Sequence, residues 1–296
     1  MKIWSGLFTA LITPFDDQGA LDQAGLRLLV RLQKEAEVDG LVVLGSTGEA
    51  PTLTSEEKEI IIRLTKEEAG SLPILVGCGG YDTQKVIENV HQAAHLGAQG
   101  ALIVTPYYNK PTQEGLYLHF QALSRASPLP LILYNIPGRT GVNVLPETLK
   151  KIADLPSIVG VKEASGNVVQ MGDIIAEIKA ARPSFSLFSG DDIFTFPLMA
   201  LGGDGLIGMS SNLIPRLMKK FMSAFQVKDW ELARTLHYQL LPLFKGVTME
   251  TNPIPIKAAM QMAGLPSGSP RLPLTPLSPV FRETLTNIVD RLYEKT

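Results

Sequence analysis

The chain is poor in the residues that staple or metallate small folds. Cys78 is the one cysteine among 296 residues. That excludes an internal disulfide framework and fits a reducing compartment. Cys78 follows the apolar run Pro73–Gly77, so a buried, inert thiol is expected. There are four histidines, His91, His95, His119 and His237, and all fall in helical stretches. His91 and His95 share a helix face, but no carboxylate stands between them as a zinc-protease motif requires. A solvated face is the simpler reading, and metal-dependent aldol chemistry is disfavoured. An excess of one charge is also missing: 27 Lys and Arg against 29 Asp and Glu give a net charge of −2. No global basic surface exists to draw nucleic acid, and no run of Lys or Arg suggests a local one. No apolar stretch nears the ~20 residues needed to span a bilayer. The N-terminus, Met1-Lys2-Ile3-Trp4-Ser5-Gly6, lacks a charged region followed by a long apolar one, so no signal peptide is expected. These absences together predict a soluble cytoplasmic protein without membrane or nucleic-acid partners.

What is present is a regular alternation. Short β-rich runs recur at Leu7–Thr13, Gly40–Gly45, Pro73–Gly77, Ala101–Thr105, Leu131–Asn135, Ile158–Lys162, Phe185–Ser189 and Gly205–Met209. Amphipathic stretches such as Asp22–Val38, Ser55–Ala69, Thr83–Leu96, Gln113–Ala126 and Val168–Ala181 separate them. Thr54-Ser55-Glu56-Glu57 is a capping-box pattern that starts the second of these helices. Strands alternating with helices indicate βαβ units and a parallel sheet. Eight such units predict an α/β fold, a closed (β/α)8 TIM barrel. Apolar residues make up 45% of the chain, ample for a large core. After the eighth strand the alternation stops. Residues 213 to 263 read as consecutive helices, Leu265–Pro279 as a loop, and a final helix runs to about Leu292. The expected organisation is a catalytic barrel over 1–212 and a C-terminal helical appendage over 213–296 packed on it. Gly202-Gly203-Asp204-Gly205 follows no strand and opens no helix, so it is not a dinucleotide fingerprint.

Active sites of such barrels lie at the C-terminal ends of the strands. Lys162 ends the apolar run Ile158-Val159-Gly160-Val161, and alternation puts it on the same face as Gly160, towards the interior. Burying an ammonium without purpose is costly. Desolvation lowers a lysine pKa and supplies the neutral amine that imine formation needs. The alternative is a lysine that snorkels to solvent. Tyr134, in the fifth strand, would face the interior beside the strand carrying Lys162, where a phenol can shuttle protons. It could equally be a core tyrosine. Gly45-Ser46-Thr47-Gly48 offers two hydroxyls and several N–H groups, a nest suited to a small carboxylate, although such clusters are often plain turns. Arg139, after the fifth strand, could clamp a carboxylate bidentately or remain a solvated loop arginine.

Several motifs together resemble the dihydrodipicolinate synthase/N-acetylneuraminate lyase superfamily. They are Gly45-Ser46-Thr47-Gly48-Glu49, Tyr107-Tyr108-Asn109-Lys110-Pro111, Tyr134-Asn135-Ile136-Pro137-Gly138-Arg139-Thr140-Gly141 and Gly160-Val161-Lys162-Glu163-Ala164-Ser165-Gly166-Asn167. Ser189-Gly190-Asp191-Asp192 and Asn252-Pro253-Ile254-Pro255-Ile256-Lys257 agree, and the likeness covers essentially the whole chain. It implies a lyase that condenses pyruvate with L-aspartate 4-semialdehyde on the way to diaminopimelate and lysine. In that reading Lys162 forms the imine with pyruvate and Tyr134 passes protons. Ser46 links Tyr134 to Tyr108, and Tyr108 arrives from a neighbouring subunit. Thr47 with Ser46 binds the pyruvate carboxylate, Arg139 anchors the semialdehyde carboxylate, and Gly190 and Ile207 line the pyruvate pocket through their backbones. No metal or organic cofactor is implied. A homotetramer built as a dimer of dimers is.

One departure matters. The condensing members usually carry Thr-Thr where this chain has Ser46-Thr47. Ser-Thr is familiar from the lyases, which cleave N-acetylneuraminate. Serine keeps the hydroxyl and loses the methyl that limits its rotamers. Arg139 argues the other way, because the sialate lyases lack it. A lyase or other 2-oxo-acid aldolase therefore stays as the alternative, as does, from a different class, a barrel that binds a 2-oxo acid without turning it over. Members inhibited by lysine hold it at the tight dimer interface with a serine, two histidines, an asparagine, a glutamate and a tyrosine. The matching positions here are Ala50, Ser55, Lys58, Tyr81, Lys85 and Tyr107, so insensitivity to lysine is expected.

Overall fold

A computed structural model describes residues 4–293. Residues 1–3, on which the signal-peptide reading partly rests, lie outside the described residues, as do 294–296. The first half runs β1 (Gly6–Ala10), α1 (Gln23–Glu35), β2 (Gly40–Val43), α2 (Ser55–Ala69), β3 (Ile74–Gly77), α3 (Thr83–His95), β4 (Gly100–Val104), α4 (Gln113–Ala126) and β5 (Leu131–Asn135). It continues through α5 (Pro137–Thr140), α6 (Pro146–Ala153), β6 (Ile158–Glu163), α7 (Val168–Ile174), β7 (Ser186–Ser189), α8 (Thr195–Leu201) and β8 (Gly205–Gly208). The C-terminal helices are α9 (Pro215–Gln226), α10 (Trp230–Gly246), α11 (Ile254–Met262) and α12 (Pro279–Tyr293). The strands pair in chain order, all parallel, and β8 closes on β1. This is the expected (β/α)8 barrel with additional C-terminal helices.

Alternation along each strand sorts the side chains. Phe8, Val42, Leu75, Leu102, Ile132, Phe188 and Ile207 fill the barrel interior, while Leu7, Leu41, Val43, Val76, Leu133, Val161 and Leu187 pack outward into the larger core beneath the helices. Parallel strands covered on both faces therefore read as continuous apolar runs. Local signals start the helices. Thr54 accepts from the Glu57 N–H at 3.2 Å while the Glu57 carboxylate accepts from the Thr54 N–H at 2.9 Å. Such a cap is worth about 1 kcal/mol.

Two expectations shift. The apolar pattern continues past Ala10, but the ladder runs only one bond further, from the Leu11 N–H to the Val42 carbonyl at 2.9 Å. Beyond it the Asn212 amide takes over, accepting the Ile12 N–H at 3.0 Å and donating to the carbonyls of Ala10 and Met209 at 2.8 Å each. The apolar run was recording burial, not pairing. The helix expected over 168–181 is also interrupted, because α7 opens into a π turn over Ile175–Lys179. The wider turn accompanies a buried ion pair between Lys179 and Asp204. The Asp204 carboxylate also accepts the Leu187 N–H at 2.7 Å, which joins α7, β7 and β8 at the end of the barrel opposite the site.

The C-terminal helices are fastened to the mouth of the barrel. Lys257 Nζ lies 2.7 Å from Glu49 Oε1, with both side chains 1% exposed, and donates to the Thr13 carbonyl at 3.0 Å. Arg271 grips Glu57 and the carbonyls of Gly19 and Thr52. Both cations lie over the Phe15 ring, each 4.2 Å from its centroid. These contacts hold the segment joining α10 to α11 against the strand ends, where it forms a wall of the site. Among the described residues no helix is long and apolar enough to cross a membrane.

Candidate active site

β6 points Lys162 inward and Glu163 outward. The register sets Lys162 beside Tyr134 of β5 and Phe188 of β7. Lys162 is 5% exposed, and its Nζ stands 4.2 Å from the Tyr134 ring centroid. Burial draws its pKa down to about 8, Asp192 and Asp191 oppose the fall, and Arg139 adds to it. A cation over an aromatic face favours the ammonium by ~1–2 kcal/mol. A fall from 10.5 to about 8 corresponds to roughly 3 kcal/mol the other way, so desolvation prevails. Burial also raises the Tyr134 phenol, and Arg139 and Asp191 act on it in opposite directions.

The lysine's neighbours are held by polar contacts outside the barrel interior. The fully buried Glu163 carboxylate accepts from Asn135 Nδ2 at 2.9 Å, Gln170 Nε2 at 3.1 Å and the Ser165 N–H at 2.7 Å. This ties the ends of β5 and β6 to α7. Gly190 meets Lys162 from β7. A Cβ there would stand 3.1 Å from Lys162 Cε and 2.6 Å from Ala164 Cβ, so only glycine leaves the lysine stem this room. Asp192 is 1% exposed and accepts the Met209 and Ser210 N–H groups at 3.1 and 3.3 Å. Burial, then the neighbouring Asp191, push its carboxyl up to about 6.

A cavity of about 460 Å³ opens at this end of the barrel, lined in part by Tyr134, Arg139, Gly190 and Asp191, with the Thr248–Asn252 segment as its outer wall. Its size suits a small-molecule site. Thr47 is 5% exposed, and its hydroxyl oxygen accepts from Asn252 Nδ2 at 2.9 Å. A hydroxyl has one proton, so the Thr47 O–H stays free to donate to an anion. Arg139 is exposed at the rim and donates from Nη2 to the Asn252 carbonyl at 3.0 Å. Asn252 thus touches both residues expected to hold carboxylates.

The remaining expected residues are dispersed. Ser46 is exposed at the rim. Ile207 is fully buried among the interior side chains of the barrel, and Met209, two positions on, reaches the cavity instead. Tyr108 is 89% exposed at φ +69° and does not line the cavity of its own chain. Its neighbour Tyr107 is half-buried against Tyr81, edge to face at 5.4 Å. The sequence assigned no role to Asn252, which lies 205 positions from Thr47, nor to Asp191 and Asp192. The acidic pair directly after a strand end was the available signal for the last two. Nothing local marks Asn252.

A family model described as the dihydrodipicolinate synthetase family matches residues 3–292. The 4-hydroxy-tetrahydrodipicolinate synthase of Protochlamydia amoebophila is 50% identical over 288 residues, covering 97% of this chain and 96% of that one. Among solved structures, dihydrodipicolinate synthase from Thermotoga maritima has a TM-score of 0.95 at 44% identity, covering 98% of both chains. The Acinetobacter baumannii dihydrodipicolinate synthase complexed with pyruvate has a TM-score of 0.93 at 41% identity, covering 97% of this chain and 98% of that one.

Proposed function

This chain belongs to the dihydrodipicolinate synthetase family, and on that premise we propose that it condenses pyruvate with L-aspartate 4-semialdehyde to 4-hydroxy-tetrahydrodipicolinate through an imine on Lys162. The observation that carries this is the amine of Lys162, nearly free of solvent, its pKa drawn to about 8 under the Tyr134 ring. Neutral Lys162 attacks the pyruvate carbonyl, and loss of water gives the imine. Tyr134 gives and takes the protons of that dehydration and of the imine–enamine exchange. The enamine carbon then attacks the aldehyde carbonyl. The substrate's amine closes the ring by displacing Lys162.

The remaining roles follow from position. The free Thr47 O–H, with Ser46, holds the pyruvate carboxylate, and Gly190 and Ile207 border the pyruvate through their backbones. Arg139 at the rim takes the carboxylate of the semialdehyde. Tyr108 completes the proton relay in a neighbouring subunit's site, joined to Tyr134 through Ser46. Its ring is 89% exposed within its own chain, as a ring that a partner covers would be. A homotetramer of two tight dimers is the assembly in this reading.

Borohydride reduction in the presence of pyruvate should add one pyruvyl unit at Lys162, read by peptide mass spectrometry. Full trapping by Lys162→Ala would overturn the assignment. A coupled assay comparing aspartate semialdehyde with N-acetylneuraminate separates the synthase from the lyase reading that Ser46-Thr47 keeps open. Turnover of neither would leave a 2-oxo-acid binder.

A further inference from the structure

We infer that Asp191 binds the α-ammonium of the aldehyde substrate, so that Asp191 and Arg139 form a two-sided clamp for a zwitterionic amino-acid end. The inference rests on the synthase reading above. Arg139 lines the cavity from the segment after β5, and Asp191 lines it from the segment after β7. Both charges act on Tyr134 and on Lys162, always in opposite directions. Both line the cavity that Tyr134 also lines, so both stand close to the reacting region. Pyruvate carries no cationic group and gives an anion in this wall nothing to bind. L-Aspartate 4-semialdehyde carries a carboxylate and an ammonium on one carbon, and needs one group of each sign close together.

A second carboxylate, Glu250, lines the same cavity, but its two oxygens are engaged by the Ser278 hydroxyl and the Ser278 N–H. Glu250 serves the start of α12. Asp191 uses Oδ1 to accept the Ile193 N–H at 3.2 Å, capping the short turn Asp192–Phe194. Among the described residues no protein donor meets its Oδ2. Burial raises the Asp191 carboxyl and Lys162 lowers it, so an arriving ammonium would supply a further favourable partner. Capping alone does not require a charge, because asparagine caps equally well. That separates the two roles experimentally.

Asp191→Asn keeps the Oδ1 acceptor and removes the charge. The test compares aspartate semialdehyde with succinic semialdehyde, which has hydrogen in place of the ammonium, used as a competitor. The variant should keep its thermal midpoint and reach the wild-type final yield of pyruvate trapped on Lys162, any change in trapping rate following from the lysine pKa that Asp191 helps to hold up. Its kcat/KM for aspartate semialdehyde should fall about ten- to a hundredfold, the scale of one charge-assisted contact. Its inhibition constant for succinic semialdehyde should stay unchanged. Equal loss for both aldehydes, or no loss for either, would overturn the proposal. A Glu250→Gln variant showing the larger ammonium-selective loss would also overturn it. Failure of the wild type to trap pyruvate is a separate result: it would remove the synthase reading and this inference with it.

Discussion

The Lys162 amine should react with pyruvate at a pH where an ordinary lysine is inert. With a pKa of about 8, roughly one chain in ten carries the neutral amine at pH 7, against roughly one in three thousand at the usual 10.5. Burial thus supplies about 300-fold more nucleophile before any orientation effect. The rate of imine formation by free enzyme and pyruvate should rise about tenfold per pH unit in the acid range and level off above about pH 8. Quenched-flow trapping with borohydride across the pH range, read as pyruvyl mass at Lys162, measures it. Asp192→Asn sharpens the test through its sign. Asp192 is the foremost group opposing the fall of the lysine pKa. Its loss should lower that pKa further and move the midpoint towards acid. A wild-type rate still climbing tenfold per unit near pH 10 would refute the desolvation argument. So would a midpoint in Asp192→Asn displaced towards alkali.

Arg139→Ala should lower kcat/KM for aspartate semialdehyde tens- to hundreds-fold, the cost of breaking a carboxylate contact of roughly 2–4 kcal/mol, and barely change pyruvate trapping. Equal loss in both steps would indicate a folding defect. Sedimentation should find a dimer or larger, because Tyr108 has no cover within its own chain, and a fully active monomer would refute that assembly. Initial rates at subsaturating pyruvate should not respond to L-lysine. By the resemblance Lys85 takes the place of the glutamate of lysine-binding members, although it is 67% exposed and paired with Glu88 at 2.9 Å. Solvent therefore takes much of the ~4 kcal/mol that charges ~4 Å apart would exchange at a dielectric of ~20. Half-inhibition below about 1 mM would show that a lysine site of at least that affinity has formed by other contacts.

The barrel was legible because each parallel strand is covered on both faces, so burial wrote an apolar run at every strand. The same cause blurred the ends. Leu11 and Ile12 are buried like strand residues, but only the Leu11 N–H still reaches β2, at the Val42 carbonyl, while the Ile12 N–H goes to Asn212. Between β5 and β6 no helix was assigned, and there α5 and α6 stand as two short helices, each opened by a proline, Pro137 and Pro146. Neither is long enough to establish a clear helical period. Lys162 and Tyr134 could be placed from alternation within single strands. Thr47 and Arg139 could be nominated from residue type, but their shared attachment to Asn252 could not. That contact depends on how the C-terminal helices lie across the barrel mouth, and no local pattern encodes it.

The Glu49–Lys257 pair has a consequence for what counts as a separable part. Glu49 belongs to the loop after β2 and Lys257 to α11, and each is the other's buried counter-ion. Removing one partner of such a pair costs about 3–5 kcal/mol, a large share of the roughly 5–15 kcal/mol that holds a typical protein folded. A chain cut after residue 212 would keep all eight strands and strand the Glu49 carboxylate without its cation. The boundary between barrel and appendage is therefore one of connectivity, and the two regions should melt as one cooperative body. Calorimetry on the full chain should give a single endotherm that Lys257→Met moves as a whole. Two separately moving endotherms would make the appendage an independent unit after all.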